Sequence, residues 1–225
     1  MYYPIQLPFL LNEEFTRVMS YHEKVVPECK EFVLCFWSMW SKTQDQVRVQ
    51  NVIIADGCID LIVDFDQKLI FFTGNQQTDF DYEIEVPARF FGARMMPGAF
   101  HQLTGLSAEA AMDTFILLQD IFDDFDQKQF FTNMFENAQE IFQSYLIKKF
   151  KELKPNEFTQ LFPRLSQAIP QTTKNLYELL YFSPRQCQRA FMKNFGLTPK
   201  MVLSILRFQK CLEILTSEQA KPADI

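Results

Sequence analysis

The spacing of apolar and polar residues divides the chain into a β-rich first part and a helical second part. Within residues 1–100, short apolar or alternating runs are separated by turn signals such as Asp56-Gly57 and Pro97-Gly98, which is typical of β-strands. The candidate strands are residues 32–40, 47–55, 58–65, 68–73, 87–93 and 99–103. Several short strands joined by turns predict a small sandwich or barrel, the latter of a cupin-like kind.

Helical spacing begins after about residue 107. Apolar side chains then recur at intervals of three and four residues, at Phe130, Phe131, Met134, Phe135, Ala138, Ile141, Phe142, Tyr145, Leu146 and Phe150. We expect most of this stripe to pack on the β-rich part, with a dimer contact as the alternative. Pro155, Pro163 and Pro170 follow, and Pro170 closes the last helix of this region.

These patterns predict an α+β chain in three parts. Residues 1–125 form a small N-terminal β-barrel or cupin-like domain with a regulatory or sensor role. Residues 126–170 form a helical connector that is a candidate for dimerisation, and residues 171–225 form an all-α C-terminal segment.

Within the C-terminal segment, the clearest local signals mark one helix at residues 183–195. Ser183 is a suitable N-cap, and Pro184 stands at the first helical position, where its missing N–H costs nothing. Gln186 completes a Ser-x-x-Gln capping box, and Gly196 is suited to a left-handed C-cap. This helix is therefore predicted with defined ends.

Two further helices flank this one. Residues 175–181 predict a short helix, and Thr198-Pro199 repeats the cap-and-proline arrangement ahead of a long helix at residues 200–215. A short helix, a turn, a second helix and a long third helix together predict a helix-turn-helix followed by a connecting helix.

The helix at 183–195 has two different faces. The apolar stripe contains Cys187, Phe191 and Phe195, and the mostly polar stripe contains Arg185, Gln188, Arg189 and Met192. In a major-groove helix, one face anchors the helix while arginine and glutamine on the other read guanine and adenine edges. Lys193 and Arg207 are candidates for phosphate contacts. The alternative is an ordinary amphipathic surface helix with solvated polar side chains.

The charge distribution agrees with a division of labour along the chain. The net charge is −6, but residues 172–225 contain eight basic and four acidic residues and so carry +4, which leaves −10 for residues 1–171. A basic segment attached to an acidic body suggests that one part can approach a polyanion. A charge of this size also arises by chance, so it adds little by itself.

The helix-turn-helix stretch resembles that of AraC-type transcription regulators. Residues 183–200, SPRQCQRAFMKNFGLTPK, are similar to the family pattern S-P-R-Q-L-Q-R-x-F-x-x-x-x-G-x-x-P-K, and residues 205–215 are similar to its linker helix. Cys187 and Cys211 stand where Leu and Ala are common, which preserves their apolar character. Carried over by position, the resemblance implies base-reading roles for Arg185, Gln188 and Arg189.

Two N-terminal segments resemble one sensor-domain subgroup of the same family. Residues 55–62, ADGCIDLI, are similar to its P-D-G-C-x-D-L-I segment, and residues 92–99, GARMMPGA, are similar to its G-x-R-F-x-P-G-A segment. The resemblance implies a barrel-like effector or regulatory domain followed by helices available for dimerisation.

The resemblance departs from the family at the C-terminus. AraC-type binding domains contain two helix-turn-helix units, and residues 222–225 resemble the opening of the second unit. Because the remainder of that unit does not follow, we expect either a truncated natural protein or a fragment. A single unit should make fewer phosphate contacts and bind DNA with lower affinity and a shallower salt dependence.

The sequence contains no pattern that predicts catalysis, a metal ion or a cofactor. His22 and His101 are far apart in the sequence and lack metal-ligand spacing, and the motifs of nucleophile elbows, Walker loops and dinucleotide sites are absent. Five scattered cysteines without a C-x-x-C pair argue against a disulfide framework or zinc site. Cys58 lies in an apolar strand, which predicts a buried, unreactive thiol.

A small-molecule effector is a further expectation. Trp37 and Trp40 are candidates for lining a cavity in the β-rich domain, and Arg94 is a candidate partner for an anionic effector. Ordinary core packing is the alternative for the aromatic residues.

Together these features predict a cytoplasmic, sequence-specific DNA-binding transcription regulator that is not an enzyme. Its expected partners are double-stranded DNA, a small-molecule effector and a second copy of the chain; with no signal peptide and no apolar run of about 20 residues, no membrane is expected. The candidate DNA-binding residues are Arg185, Gln186, Gln188, Arg189, Lys193 and Arg207. The alternatives are a ligand-binding or cupin-like enzyme with a structural helical tail, and a truncated regulator that acts through protein–protein contacts.

Overall fold

The computed structural model describes residues 2–5, 12–74 and 80–219. The predicted opening of a second helix-turn-helix unit, at residues 222–225, lies outside this described part.

The β-rich region forms two antiparallel sheets. Their strands are β1 Met19–Lys24, β2 Val33–Ser41, β3 Val47–Ile53, β4 Ile59–Asp64, β5 Leu69–Thr73, β6 Phe80–Val86, β7 Arg89–Met95 and β8 Phe115–Leu117. Six strands form one sheet in the order β1-β2-β7-β4-β5-β8, while β3 and β6 form a separate two-stranded ribbon. Strands β4 and β7 are distant in the sequence but pair in antiparallel fashion, so that Asp60 on β4 lies opposite Arg94 on β7.

The prediction of a closed barrel is wrong for the described residues. Closure requires the first and last strands of a sheet to pair with each other. Here β1 and the three-residue β8 stand at opposite ends of the strand order, and β3 and β6 pair with each other instead of bridging the gap. The six-stranded sheet is therefore open.

One predicted strand is a helix. Residues 99–103 were expected to extend the sheet, but they lie in the helix Ala99–Thr104. Gly98 precedes the helix with φ +93° and Gly105 follows it with φ +75°, both in the left-handed region that glycine adopts readily. These two glycines bound the segment as a helix and override its strand-like composition.

Eight α-helices occur among the described residues. They are α1 Glu13–Val18, α2 Ala99–Thr104, α3 Gln127–Phe130, α4 Phe135–Lys151, α5 Glu157–Gln167, α6 Thr173–Leu180, α7 Pro184–Phe195 and α8 Pro199–Gln219. None of the helices in this part of the chain combines the length and apolar character needed to cross a membrane.

Each face of the six-stranded sheet is covered by a different layer. On one face, Cys35, Trp37 and Met39 of β2 are buried together with Val49 and Ile84 of the ribbon. The other face packs against helices, because alternate residues of a strand point to opposite sides. The ribbon and the helices thus enclose the sheet between them.

The phenylalanine stripe of α4 packs on the helix-covered face. Phe142 is buried with its ring 5.5 Å from that of Phe91 on β7, and Phe150 stacks on Phe32 at 4.9 Å. Met134, which precedes α4, and Ile141 remain exposed. Most of the predicted stripe therefore contributes to the protein's own core.

The same core continues from the sheet into the C-terminal helices. Leu61 and Phe72 of the sheet, Phe162 of α5 and Phe191 of α7 belong to one contiguous group of buried apolar residues. The C-terminal helices are thus held against the β-rich region by burial of apolar surface, which at roughly 25 cal/mol per Å² is the main source of stability. The three-part division of the chain remains a prediction.

Candidate nucleic-acid interface and the buried Arg94 cluster

The predicted capping arrangement sets both ends of α7. The Ser183 hydroxyl accepts a hydrogen bond from the Gln186 backbone N–H at 3.3 Å, and the Gln186 Oε1 accepts one from the Ser183 backbone N–H at 2.9 Å. At the other end, Gly196 has φ +68° and donates its N–H to the Met192 carbonyl at 2.9 Å. The capping box and the glycine C-cap are both confirmed.

The preceding helix ends in a tight turn that directs α7. The Thr172 hydroxyl caps the start of α6 by accepting from the Asn175 N–H at 3.1 Å. Tyr181 then adopts φ +54°, a left-handed conformation uncommon for a residue with a side chain, and is 95% exposed. The helix was predicted to include Tyr181, but it ends at Leu180 because this residue leaves the helical conformation.

One face of α7 is fully buried. Cys187 and Phe191 are 0% exposed and Phe195 is 1% exposed. They join Leu176 of α6 and Leu206 of α8 in the core. The apolar stripe predicted from spacing therefore anchors α7 between its neighbours.

The opposite face of α7 is available to a partner. Arg185, Gln188 and Arg189 are exposed, and Lys193 one turn further on is exposed as well. Among the described residues, none of these three cations forms a salt bridge, whereas Lys174 of α6 lies 3.9 Å from Glu178. Because these three side chains are exposed and unpaired among the described residues, they can bind an anion without breaking an intramolecular ion pair.

Two other candidate DNA-binding residues have structural contacts. Gln186 is exposed, but its Oε1 is engaged in the capping box. The exposed Arg207 guanidinium donates from one nitrogen to the carbonyls of Pro170 at 2.9 Å and Gln171 at 2.8 Å. Arg207 thus ties α8 to the segment before α6, a role that the sequence did not indicate.

The C-terminal end of α7 rests against the β-rich region. A Cβ atom added at Gly196 would lie 2.8 Å from the carbonyl oxygen of Ala108, so only glycine fits this close approach. The Phe195 ring contacts Phe162 at 5.6 Å and Phe158 at 5.9 Å in edge-to-face geometry. These contacts fix α7 against helix α5 and the 3-10 turn that begins at Ala108.

A second group of polar residues surrounds the buried Arg94 on the ribbon-covered face of the sheet. Asp56 is buried as well, Asp60 is half-buried and Glu23 is exposed. The guanidinium, only 5% exposed, lies 3.0 Å from Glu23, 3.6 Å from Asp56 and 3.8 Å from Asp60. Tyr21 donates to Glu23 at 2.5 Å and also lies 3.4 Å from the guanidinium. We call these five residues the Arg94 cluster; three carboxylates share one cation.

Burial and charge act differently on the carboxyls of this cluster. Burial raises the pKa of Asp60 to about 7; the positive charge of Arg94 opposes this shift, and the negative charge of Asp56 adds to it. Burial also acts to raise the pKa of Glu23, but hydrogen bonds from Tyr21 and Tyr3, together with the Arg94 charge, outweigh it and lower that pKa. Asp60 is therefore the carboxyl that gains a proton near neutral pH.

The buried Asp60 carboxyl predicts a pH-dependent contribution to stability. Because its pKa of about 7 exceeds its ordinary value of 3.8, the stabilisation is full below about pH 4 and is lost as pH rises through 7. We expect Asp60→Asn to remove this pH-dependent loss of stability. At ~1.4 kcal/mol per pKa unit, the loss in the wild-type protein amounts to at most about 4 kcal/mol in the free energy of unfolding. Urea denaturation between pH 4 and 8 measures it, with exposed Asp123→Asn as the control. Parallel stability curves for wild type and Asp60→Asn would contradict the assignment.

The structure separates the three candidate effector-binding residues. Trp37 is buried beside the Arg94 cluster, whereas Trp40 lies on the other face of the sheet, since the two differ by an odd number of positions on one strand. The Arg94 guanidinium is surrounded by carboxylates, which oppose the approach of an anion. An anionic effector at Arg94 remains a prediction without geometric support.

Sequence reasoning missed the carboxylates of the Arg94 cluster. The sequence predicts Asp56 as a turn residue and Asp60 as part of a strand, yet both lie beside Arg94. A usable signal was present, because Asp60 is a charged residue between apolar neighbours within a strand. The two segments that carry the sensor-domain resemblance, 55–62 and 92–99, meet at this cluster.

The thiols and imidazoles show no catalytic arrangement in the described part of the chain. Burial raises the pKa of Cys35 to about 12 and that of Cys58 well above its ordinary value, in agreement with the expected unreactive thiol. His22 stacks on Trp40, and His101 lies 2.7 Å from the Leu106 carbonyl oxygen. Within residues 2–5, 12–74 and 80–219, no three potential ligands cluster for a metal ion.

A known family model matches the β-rich region of the chain. Residues 26–116 match a family model described as Domain of unknown function (DUF6597). The match includes three members of the Arg94 cluster, Asp56, Asp60 and Arg94, and ends before α6, so the helix-turn-helix lies outside it. No curated protein and no solved structure matches the chain.

Proposed function

We propose that this protein is a sequence-specific DNA-binding transcription regulator in which the β-rich region senses an effector or mediates dimerisation. The observation that carries the proposal is that α7 has one buried apolar face and one exposed polar face. One face is anchored by Cys187, Phe191 and Phe195, and the other presents Arg185, Gln188 and Arg189 without intramolecular ion pairs among the described residues.

The chemistry of the exposed face supports a base-reading role. Arginine can donate two hydrogen bonds to the O6 and N7 atoms of guanine, and glutamine can pair in two places with adenine. Arg185 and Arg189 are four residues apart, so both lie on one side of the helix with Gln188 between them. A helix held by tight caps and a buried face presents these groups in a fixed geometry, which specificity requires.

The surrounding charge supports the same proposal. Lys193 and Lys200 are exposed on α7 and α8 and are available to phosphates, which position a protein on DNA without reading its sequence. The rest of the chain is acidic, so this end is where we expect DNA to bind.

An enzyme is the alternative that the Arg94 cluster would favour, because polar groups converge there. Each carboxylate of the cluster, however, lies within 4 Å of the same guanidinium, and the neighbouring Cys35 thiol has a raised pKa. A protonated thiol is a poor nucleophile. Asp60 has a pKa of about 7, which would suit a general acid or base, but its carboxylate lies 3.8 Å from the Arg94 guanidinium and is engaged by that charge. We therefore propose a structural or sensing role for this cluster.

Selection from a random duplex library tests the proposed function. The full chain is incubated with double-stranded oligonucleotides, and bound DNA is amplified and sequenced over several rounds. We expect a short enriched sequence with G·C pairs fixed at the positions read by Arg185 and Arg189 and an A·T pair at the position read by Gln188, and binding that weakens as salt is raised. Recovery of DNA without an enriched sequence, or no recovery at low salt, would overturn the proposal.

A further inference from the structure

We propose that a groove at one end of the six-stranded sheet binds a small organic cation that carries an aromatic or other apolar group. The groove has a volume of about 840 Å³, which lies within the usual range of small-molecule sites. It is enclosed by the ends of β2 and β7, the β4–β5 turn and the start of α4. Its principal lining residues are Trp40, Phe65, Asp66, Arg89, Met134 and Glu136.

The floor of the groove is held by hydrogen bonds between two strand ends. The Ser41 backbone N–H donates to the Ala88 carbonyl at 2.9 Å, and the Ala88 N–H donates to the Ser41 hydroxyl at 2.6 Å. Because these groups are already ordered, a ligand would lose little free energy to ordering of the floor.

The wall of the groove is an aromatic and charged stack. The Arg89 guanidinium lies 4.9 Å from the centroid of the Phe65 ring and 5.9 Å from that of Phe135, and it donates two hydrogen bonds to one oxygen of Asp66, at 3.1 and 2.7 Å. Arg89 and Asp66 therefore neutralise each other. Because Arg89 already occupies these rings and this carboxylate, a second cation in the groove would depend on Trp40 and Glu136.

The remaining charge in the groove is negative. Glu136 lies in the first turn of α4, is exposed, and forms no salt bridge to any residue in the described part of the chain. The N-terminal dipole of α4 offsets roughly half a charge at most, so the groove keeps an excess of negative charge. An anion would be repelled, and a cation would be attracted.

Exposed apolar side chains in the groove favour a ligand that also carries an apolar group. Met134 is 68% exposed and borders the groove together with half-buried Trp40 and exposed Pro87. An aromatic or aliphatic group would bury this surface while its ammonium group faces Glu136. The preference for an amphipathic cation follows from both features and is independent of the proposed DNA interface.

Three probes that differ in charge test this assignment on the full chain. Isothermal titration at low salt compares 2-phenylethylamine, neutral 2-phenylethanol and anionic 3-phenylpropanoate. We expect one molecule of the amine to bind per chain, about two- to fivefold tighter than the alcohol, with the carboxylate weakest, because Glu136 is exposed. Glu136→Gln should weaken amine binding about two- to fivefold and leave alcohol binding unchanged.

A matched variant distinguishes a local effect from a general one. Glu140 is exposed one turn further along α4 and does not line the groove, so Glu140→Gln should leave amine affinity unchanged. Both substitutions are on the surface, and circular dichroism verifies folding. The proposal is overturned if the amine does not bind, if the three probes bind equally, if the carboxylate binds most tightly, or if the two variants behave alike.

Discussion

Replacing Arg189 with alanine is expected to weaken binding to the selected DNA sequence by about 1–3 kcal/mol, ~5- to 150-fold, and to relax base preference at one position. Arg189 is exposed on the face of α7 opposite buried Phe191, and it has no intramolecular salt bridge among the described residues. The loss should therefore come from the missing base contact and leave the fold intact. Fluorescence anisotropy with the selected duplex and an unrelated duplex measures the loss of affinity and the loss of sequence preference.

Two control variants separate base reading from general electrostatics. Lys193→Ala should weaken binding to both duplexes alike. It should also reduce the slope of log affinity against log salt concentration by about 1, the value expected for one lost phosphate contact. Arg17→Ala removes an exposed arginine of α1 and should change neither affinity. If Arg189→Ala weakens both duplexes equally, Arg189 contacts phosphate; if it weakens neither, α7 does not read DNA as proposed.

Features governed by local sequence were predictable in the C-terminal region. The capping box of Ser183 and Gln186 and the left-handed Gly196 depend on residues within one turn of each other, and the structure contains both. The buried and exposed faces of α7 follow from helical spacing, which is also local. Local rules thus account for most of the candidate DNA interface.

Features that depend on long-range pairing were not predictable in the same way. Whether the sheet closes depends on β3 pairing with β6 rather than with the six-stranded sheet, and no residue pattern in either strand specifies that choice. The helix at 99–104 was missed because its composition also suits a strand, and the glycines on both sides decide the outcome.

The candidate effector-binding region contains one feature that depends on long-range pairing and one that depends on local sequence. Asp60 and Arg94 face each other through the register of β4 and β7, which cannot be obtained from either segment alone. The separation of Trp37 and Trp40 onto opposite faces, by contrast, follows from strand alternation and was available from the sequence. The odd spacing of the two tryptophans on one strand therefore excludes a single cavity lined by both.

Replacing Arg94 with methionine is expected to lower the free energy of unfolding by about 3–5 kcal/mol at pH 8, because it leaves the buried Asp56 and half-buried Asp60 carboxylates without their cation. Arg94 holds down the pKa of Asp60 and Glu23, so its removal raises both in the folded protein. Raised pKa values mean that stability is lost as pH rises and regained as pH falls. The deficit should therefore be clearly smaller at pH 5, where the carboxyls take up protons. Urea denaturation at the two pH values measures this difference.

An exposed arginine provides the matched control. Arg48 lies 3.2 Å from Glu83 and 2.8 Å from Glu85 on the ribbon surface, where an ion pair contributes roughly 0–1 kcal/mol, so Arg48→Met should have little effect at either pH. Adding Asp60→Asn and Glu23→Gln to Arg94→Met should restore part of the lost stability, since it removes two of the unpaired charges. If Arg94→Met costs no more than Arg48→Met, or costs the same at pH 5 and pH 8, the carboxylates around Arg94 do not depend on its charge. A deficit that grows with pH and is relieved by the two neutral substitutions would establish that Arg94 compensates the charges of Asp60 and Glu23 in the folded protein.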